Sequence, residues 1–390
     1  MKKAGIVIVL YNGEKYIKPL FRSLAGLRYA KSDFKVFVVD NGSNDNTVET
    51  LRIDTKLPFD AAQGRLQHMR PPSLKLRGVK NYPPRQDELG SSRLGENAKD
   101  LDVEVIESKE NLGFALGNNL GIKKAMDEGY EYILLLNQDM AVDEDWLSEL
   151  ISKAESDEKI GVVQAMMLLM HDREKINATG ERLNYLGIGY SGNYKLGLSD
   201  FKAEKNIISY ASGAAVLFKR EVLERVGLFD ELFFLYHEDT DLSWRARMMG
   251  WGIELAEKAK CFHDYRFRHN KKAYYWTEKN RLMFLWRNFE TKTLILIFPM
   301  FAVMELGMFL YALASGWFWQ KVKSYFWFFR HWGEILKARN KIQGERKIRD
   351  RELKKYLVAG IEFGGMENPL LKYVANPVLK LYWLLIKRFI

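Results

Sequence analysis

Short apolar runs rich in β-branched residues alternate with helical patterns along the first 165 residues of this 390-residue chain. Such alternation is typical of a parallel sheet whose strands are connected by helices. It predicts strands at residues 5–10, 35–39, 103–106 and 132–136. It predicts helices at residues 14–27, 115–128 and 143–156. Ligands of open α/β sheets gather beyond the carboxyl ends of the strands, so the residues that directly follow the apolar runs are the first candidates for a site.

The composition excludes several classes of protein. Apolar residues make up 47% of the chain and charged residues 28%, which excludes a disordered or collagen-like chain. The one cysteine, Cys261, excludes an intrachain disulfide and a cysteine-rich zinc site, and we expect a reducing compartment. The net charge of +10 is a mild basic excess. It suits a partner that bears phosphates, whether a nucleotide, a nucleic acid or an anionic lipid.

Residues 52–100 interrupt the alternation. Five of the nine prolines lie between residues 46 and 101, together with several Arg and Lys residues. A loop of this length inside a compact domain is either a functional insertion or disordered. We expect a mobile basic insertion, with an ordered subdomain as the alternative.

A second change in composition follows residue 293. Residues 294–319 contain a single charge, Glu305, and are long enough to span a membrane. Residues 320–355 contain 12 Lys and Arg against 4 Asp and Glu, so a crossing would place a basic segment outside the cell. We therefore expect a broken or hairpin helix that dips into the cytosolic leaflet, and a second interfacial helix in the apolar tail at 373–390. Core helices packed on the first domain are the alternative for both segments.

Polar residues directly follow the first two predicted strands. Tyr11 follows the first strand, and Asp40 and Gly42 follow the second. A carboxylate at a strand end can accept hydrogen bonds from a base N–H or a ribose hydroxyl, and glycine permits a turn around the ligand. An Asx turn or a helix cap formed by Asp40 is the alternative.

The fourth predicted strand is followed by a polar triplet that contains Asn137 and Asp139. A carboxylate at this exposed edge can bind Mg²⁺ or Mn²⁺ that also holds diphosphate oxygens, although strand ends often carry an Asp as the next helix cap. His263 follows a short apolar pair and is a candidate third partner of the same metal, with a structural histidine as the alternative.

Two further segments are candidates for the site. Residues 111–121 contain three glycines spaced four apart, and Gly113 and Asn118 could allow a ligand to approach closely. Close packing of a helix on the sheet is the alternative. Downstream, Gly213 precedes a dense acidic cluster in which Glu238 and Asp239 lie beside aromatic residues. Crowded like charges raise at least one pKa and suit a general base, and a solvated acidic helix cap is the alternative.

In this order, the segments VVDNGSNDNT, NLGFALGNNLGI, LLLNQD, SGAAVLFKR and GLFDELFFLYHEDTDLSWR, followed by His263, resemble the inverting family 2 glycosyltransferases, especially their bacterial rhamnosyltransferase-like branch. The resemblance covers about residues 4–290. It implies a GT-A type, Rossmann-like α/β domain over residues 1–290 that binds a nucleotide sugar. It also implies a C-terminal helical, membrane-associated region over residues 291–390. A divalent metal, Mg²⁺ or Mn²⁺, and transfer to a hydroxyl with inversion at the anomeric carbon follow from the same resemblance.

The resemblance also implies roles for individual residues. Asp40 would contact the nucleotide base, with Tyr11 beside it. Asp139 would bind the metal, with support from His263. Asp239 would act as the general base, with Glu238 as its neighbour. The predicted donor-binding set is completed by Gly42, Gly113, Asn118, Asn137 and Gly213. Asn137 stands where the family has the first aspartate of its DxD element, and the 52–100 insertion has no counterpart in the family.

The expected partners are a nucleotide-sugar donor, a glycan or lipid-linked glycan acceptor and the cytosolic face of the cell membrane, where the protein would be peripheral or monotopic. The apolar run at 4–11 is short and no cleavage site follows, so we interpret it as a strand and not as a secretory signal. No nucleic acid is expected, rhamnose as the sugar follows from resemblance alone, and the sequence does not indicate the oligomeric state. One alternative is a nucleotidyltransferase, which would need a cation-rich turn after the first strand, but residues 10–13 contain no Lys or Arg. The other alternative is a basic membrane or nucleic-acid scaffold, which would leave the strand-end carboxylates unexplained.

Overall fold

The computed structural model describes residues 3–55, 101–265, 271–364 and 368–390. Strands β1 to β6 are Ala4–Leu10, Phe34–Asn41, Val103–Ser108, Tyr132–Leu136, Met140–Val142 and Ile160–Leu169. Strands β7 to β12 are Asp172–Ala178, Arg182–Asn184, Gly189–Tyr190, Ala215–Lys219, Gly252–His263 and Leu357–Val358. Helices α1 to α6 are Glu14–Ala25, Thr47–Thr55, Gly113–Asp127, Trp146–Glu155, Arg220–Val226 and Glu238–Met248. Helices α7 to α12 are Lys271–Asn288, Thr291–Ala314, Phe318–Arg330, Trp332–Glu345, Asp350–Leu353 and Asn376–Ile386.

The central sheet has the strand order β3-β2-β1-β4-β10-β6-β11-β5, and β7 pairs with β6. The first four of these strands are parallel, with Ala4 of β1 opposite both Phe34 of β2 and Tyr132 of β4. Strand β10 is antiparallel to β4 and to β6. Because β1 lies between β2 and β4, the connections that leave β1 and β4 run in opposite directions. This reversal opens a crevice at the carboxyl ends of the two strands.

The α/β class and the elements predicted for the N-terminal region are confirmed, with ends that differ by at most three residues. Strands β1 and β4 are buried on both faces, which is why their sequences show continuous apolar runs. A correction concerns the 52–100 insertion, because residues 47–55 form α2 and the alternation therefore continues past residue 52. Residues 56–100 of the predicted insertion lie outside the described residues.

The apolar segment predicted at 294–319 contains two helices. Helix α8 ends at Ala314 and α9 begins at Phe318, with Pro299 inside α8. Among the described residues, α8 is the one helix that is long and apolar enough to cross a membrane. Many of its apolar side chains face solvent and are more than 60% exposed, including Ile295, Phe298, Val303, Leu306 and Leu310.

Helix α7 connects the sheet to the C-terminal helices through consecutive buried polar residues at 278–281. Arg281 bonds to Glu278 at 2.9 Å and also pairs with Glu305 of α8. Lys321 of α9 donates to Glu305 at 2.6 Å and also pairs with Glu278. Buried charges need such partners because removal from water is costly. The single charge of residues 294–319 is therefore a packing contact that fastens α8 to α7 and α9.

Candidate active site

The loops after β1, β2 and β4 meet at the carboxyl edge of the sheet. The backbone N–H of Tyr11 donates to Oε1 of Gln138 at 2.9 Å, and that of Asn12 donates to Oγ of Ser43 at 3.0 Å. A Cβ on Gly13 would lie 2.3 Å from the Gln138 side-chain oxygen, so a larger residue would displace the end of the Gln138 side chain. These contacts join three strand ends into one surface, on which Tyr11 is 38% exposed.

Asp40 and Gly42 lie at the end of β2. Asp40 is buried, and its carboxylate accepts the Ser43 backbone N–H at 3.4 Å, a distance at which a hydrogen bond is weak. Its oxygens therefore retain capacity for a ligand. Gly42 has a φ of +74°, and a Cβ there would lie 2.7 Å from the carbonyl carbon of Glu110. Both the backbone conformation and the close approach require glycine at this turn.

The glycines at the start of α3 serve two purposes. Gly113 has a φ of +77°, and a Cβ there would lie 2.4 Å from the carbonyl oxygen of Phe234. Cβ atoms on Gly117 and Gly121 would lie 3.1 and 2.4 Å from valine side chains of β1. These two positions match the helix-packing alternative, whereas Gly113 brings the loop that precedes α6 close to α3. Asn118 is buried and donates to a carbonyl of its own helix at 2.9 Å.

Asp139 and His263 face each other at the ends of β4 and β11. Oδ1 of Asp139 lies 3.3 Å from Nε2 of His263, and Nδ1 of His263 lies 2.8 Å from Oδ1 of Asn177. An amide oxygen can only accept, so Nδ1 of His263 donates to Asn177, and Nε2 is the ring nitrogen that faces the carboxylate. Contact between Nε2 and a carboxylate oxygen at this distance requires either a proton on Nε2 or a cation that both atoms bind.

The pair Asp139–His263 fits a divalent cation with few protein ligands. Asn177 accepts a hydrogen bond from the ring nitrogen of His263 that faces away from Asp139. Metal-binding histidines are commonly oriented by a hydrogen-bond partner of this kind. Within residues 3–55, 101–265, 271–364 and 368–390, no group of three or more His, Cys, Asp and Glu side chains could hold a metal. Mg²⁺ usually takes one or two carboxylates and completes its shell with water and phosphate oxygens, so diphosphate and water would supply the remaining ligands.

Helix α6 begins with the carboxylates of Glu238 and Asp239. Oδ2 of Asp239 accepts the Gly213 N–H at 3.2 Å, and Oδ1 accepts the Thr240 N–H at 2.7 Å. Burial raises the pKa of Asp239 despite these bonds. Burial and the charge of Asp239 raise the pKa of Glu238 further, and Oε2 of Glu238 has no hydrogen-bond partner among the described residues. The pair therefore ionises in sequence, with Asp239 before Glu238, and two backbone N–H groups fix the orientation of the Asp239 carboxylate.

The two halves of the site are connected by the pairing of β4 with β10. The N–H of Asn137 donates to the carbonyl of Ala214 at 2.9 Å. The neighbouring Gly213 binds Asp239, and Asp139 lies two residues beyond Asn137. The structure thus brings Asn137, Asp139, Gly213, Asp239 and His263 to one edge.

Glu181 and Tyr210, which the sequence analysis did not identify, lie beside Asp239. They form an antiparallel bridge in which the Glu181 N–H donates to the Tyr210 carbonyl at 2.9 Å. Opposed residues of such a bridge project to the same face. Burial, and to a smaller extent the charge of Asp239, raises the pKa of Glu181 to about 8. No sequence pattern marks Glu181, because it lies in an irregular segment between short strands.

The turn before α6 has a strained backbone. Tyr236 and His237 both have positive φ, +70° and +65°, a conformation that costs a non-glycine residue about 1–3 kcal/mol. Asn280 of α7, fully buried, donates to the carbonyls of Leu235 at 2.9 Å and Tyr236 at 2.7 Å. Helix α7 therefore stabilises the turn that positions Glu238 and its neighbour.

Comparison with known families gives one match, the family described as "Glycosyl transferase family 2", over residues 5–58 and 90–227. The second matched range contains Gly113, Asn118, Asn137, Asp139 and Gly213. Glu238, Asp239 and His263 lie beyond it.

Two curated relatives are similar over part of the chain. The low-salt glycan biosynthesis hexosyltransferase Agl10 of Haloferax volcanii is 26% identical over 183 residues, which are 46% of this chain and 57% of that protein. The poly-beta-1,6-N-acetyl-D-glucosamine synthase of Staphylococcus epidermidis is 22% identical over 261 residues, 66% of this chain and 49% of that one. The chain thus spans about half the length of the curated relatives it matches.

The structure of GalNAc-T7 with UDP, GalNAc and Mn²⁺ is similar in fold. It superimposes with a TM-score of 0.52 at 16% identity, over 75% of this chain and 49% of that chain. At this identity the likeness concerns the fold alone, and it agrees with the GT-A type domain expected from the sequence.

Proposed function

This chain belongs to glycosyl transferase family 2, and on that basis we propose that it moves a sugar from a nucleoside-diphosphate donor to a hydroxyl of a glycan or lipid-linked glycan acceptor, with inversion. The observation that most supports this activity is the hydrogen-bonded connection of Asp239 to the strand end that carries Asp139. In this proposal, Asp239 as the proton acceptor and Asp139 with His263 as cation ligands act at one edge of the sheet. The curated relatives carry the names of a hexosyltransferase and a polysaccharide synthase, in keeping with such a reaction.

In the proposed mechanism, Asp239 accepts the proton of the acceptor hydroxyl while the hydroxyl oxygen forms a bond to C1 of the donor sugar. The bond between C1 and the diphosphate oxygen breaks in the same displacement, which inverts the anomeric carbon. The N–H groups of Gly213 and Thr240 orient the carboxylate towards this task. A positioned general base typically contributes about 10²–10⁴-fold to the rate.

Asp139 and His263 would hold Mg²⁺ or Mn²⁺, and the bound ion would neutralise charge on the departing diphosphate. Asp40 has unused acceptor capacity for the nucleotide base, and Tyr11 lies beside it at the open edge. Gly42 and Gly113 would contribute to donor binding indirectly, because their close packing against Glu110 and Phe234 shapes the turns at this edge. Rhamnose remains our proposed sugar, on the sequence resemblance.

We expect detergent-purified protein to release nucleoside diphosphate from one donor in a panel of UDP-, dTDP- and GDP-sugars that includes dTDP-rhamnose. Release should require Mg²⁺ or Mn²⁺, stop with EDTA and fall at least about 10²-fold in Asp139→Ala, because the leaving diphosphate loses its cation. The matched control is Asp127→Ala, an exposed aspartate at the end of α3, which should behave as wild type. Release that persists in EDTA would contradict the metal assignment.

We also propose that α8, α9 and α12 lie in the cytosolic leaflet of the cell membrane. Tyr382 of α12 donates to the Leu296 carbonyl of α8 at 2.8 Å, and Glu305 fastens α8 to α9, so the three helices form one surface. Large exposed apolar patches are rare on soluble monomers. On this surface, Phe298, Leu306, Trp319, Phe326 and Leu381 are each more than 60% exposed. A crossing helix would place the paired Glu305 in the bilayer, which is costly, so an in-plane position fits better.

Vesicles of phosphatidylcholine and phosphatidylglycerol should bind the protein in a sedimentation assay. The double variant Leu306→Glu/Leu310→Glu should weaken binding by at least about tenfold, because glutamate resists transfer into the acyl region. Lys18→Glu, on an exposed position of α1, makes the same change in net charge and is the matched control. Binding of the double variant equal to that of wild type would contradict the proposed surface.

A further inference from the structure

A cleft lies at the opposite end of helix α6 from Glu238 and Asp239. It has a volume of about 230 Å³ and is enclosed by the turn after α5, the last turns of α6 and α7, and helix α10. Glu238 begins α6, whereas Met248 at its other end lines the cleft. Ten residues of helix separate the two positions, which corresponds to about 15 Å. The cleft is therefore distinct from the proposed active site.

The cleft is lined by five cationic side chains, namely Arg225, Arg245, Arg287, Lys341 and Arg346. Three of them are each paired with one aspartate: Arg245 with Asp241, Arg287 with Asp230, and Arg346 with Asp350. Within the described part of the chain, Arg225 and Lys341 form no ion pair. Glu345 is the one further carboxylate among the lining residues and their ion-pair partners. Five cations thus face four carboxylates, and this excess of positive charge favours an anion.

Arg287 is buried in the wall of the cleft and has unused hydrogen-bond donors. Its residue is 2% exposed, and its Nη2 donates to Asp230 at 2.7 Å. Nε and Nη1 have no hydrogen-bond partner among the described residues. The guanidinium lies 5.5 Å from the Phe233 ring, but an aromatic ring is only a weak acceptor. Buried polar groups are normally satisfied, because an unpaired one costs about 1–3 kcal/mol and a charged one costs more. An anion in the cleft would supply the missing acceptor.

The other two arginines are held rigidly by neutral acceptors. Nη2 of Arg245 donates to the Leu228 carbonyl at 2.8 Å, and Nη1 of Arg346 donates to Oε1 of Gln343 at 2.8 Å. Each of these terminal nitrogens carries a second hydrogen that can serve a ligand. Side chains that are already fixed lose little conformational entropy on binding. Sites for drug-sized ligands typically have about 300–1,000 Å³, so this cleft suits a smaller group.

We propose that the cleft binds a phosphate group, supplied by an anionic lipid headgroup or by free phosphate. Guanidinium groups match phosphate oxygens in bidentate geometry, which makes arginine clusters common phosphate-binding sites. A headgroup can supply this chemistry because α10 adjoins the proposed membrane surface, where Trp332 packs on Phe328 of α9 at 5.4 Å between ring centroids. The proposal concerns binding alone and is independent of the transfer reaction.

The first measurement is a calorimetric titration of detergent-purified protein with inorganic phosphate, at constant ionic strength and with EDTA to remove divalent metal. The double variant Arg225→Gln/Lys341→Gln changes two exposed positions and leaves the buried ion pairs intact. It should weaken phosphate binding by at least about tenfold, because it removes two charge-assisted hydrogen bonds. The matched control is Lys18→Gln/Arg22→Gln, which makes the same change in charge at exposed positions of α1 and should bind phosphate as wild type does.

The second measurement separates the two sources of phosphate. Sedimentation with vesicles of phosphatidylcholine and phosphatidylglycerol is compared with sedimentation with phosphatidylcholine alone. If the source is a lipid headgroup, Arg225→Gln/Lys341→Gln should weaken binding to the mixed vesicles alone, by at least about threefold relative to the control variant. Unchanged vesicle binding together with weakened binding of inorganic phosphate would identify free phosphate as the source. Equal behaviour of the two double variants in both assays would overturn the proposal.

Arg287→Lys tests whether the anion lies inside the cleft. Lysine keeps a positive charge opposite Asp230 but lacks the guanidinium fork, so inorganic phosphate or mixed vesicles should bind at least about threefold more weakly. A general attraction of anions to a basic surface would not change, because the net charge is the same. Wild-type binding of both probes by Arg287→Lys would place the anion outside the cleft and would also overturn the proposal.

Discussion

Asp239→Asn is expected to lower sugar transfer by about 10²–10⁴-fold while donor binding stays unchanged. The amide has the shape of the carboxylate and can still accept the Thr240 N–H, but it cannot take a proton. Initial rates with an octyl glycoside acceptor give the loss of transfer, and calorimetric titration of the donor with Mg²⁺ gives the binding constant. Because burial raises the pKa of Asp239, the wild-type rate should fall as the pH drops through a value above the usual aspartate pKa of about 3.9.

The neighbouring Glu238→Gln is the matched control. Its raised pKa keeps Glu238 protonated over more of the pH range than Asp239, and glutamine resembles the protonated acid. We expect less than about a tenfold loss of transfer, since no general-base function is removed. The opposite result, with Glu238→Gln inactive and Asp239→Asn active, would move the base to Glu238.

Glu305→Leu is expected to destabilise the protein by about 3–5 kcal/mol, the usual cost of leaving a buried charge without its partner. The change leaves Arg281 and Lys321 with the single carboxylate of Glu278. Thermal unfolding followed by circular dichroism in detergent measures the loss. Glu334→Leu, at an exposed position of α10, should change stability by less than about 0.5 kcal/mol.

The double variant Glu305→Leu/Lys321→Leu tests the electrostatic origin of that loss. It removes one charge of each sign and leaves the pair of Arg281 with Glu278, so much of the stability should return. If Glu305→Leu alone unfolds at the wild-type temperature, the ion cluster does not hold α8 in place. If the double variant is no more stable than Glu305→Leu, the loss comes from packing and not from unpaired charge.

The parallel half of the sheet is readable from the sequence because its strands are buried on both faces and alternate with helices. Strand β6 was not predicted, since its ten buried residues in a row have no periodicity that separates a strand from a helix. The insertion of β10 between β4 and β6 depends on long-range pairing, which no local pattern encodes. The residues of the candidate site likewise fall into those that a local pattern predicts and those that depend on tertiary contacts.

Residues at strand ends, such as Asp139, could be predicted because parallel strands end at a common edge. Glu181 and Asn177 could not, because their proximity to Asp239 and His263 arises from contacts between segments far apart in the chain. The ion pairs of Glu305 could not be predicted from the sequence either, although Glu305 is unusual as the single charge in an apolar segment. For Asp139 and Glu305 a local pattern marked the residue, and the tertiary structure supplied its partner.

The buried polar residues at 278–281 bear on how this protein could be recombined with its relatives. A fragment ending at residue 290 would retain Glu278 and Arg281 but lose Glu305 and Lys321, and with them half of a buried charge network. The same turn of α7 supports the strained loop before α6 through Asn280. A chimera that exchanges the C-terminal region would therefore have to transfer α7, α8 and α9 together, because a junction between α7 and α8 separates charges that were matched within one parent.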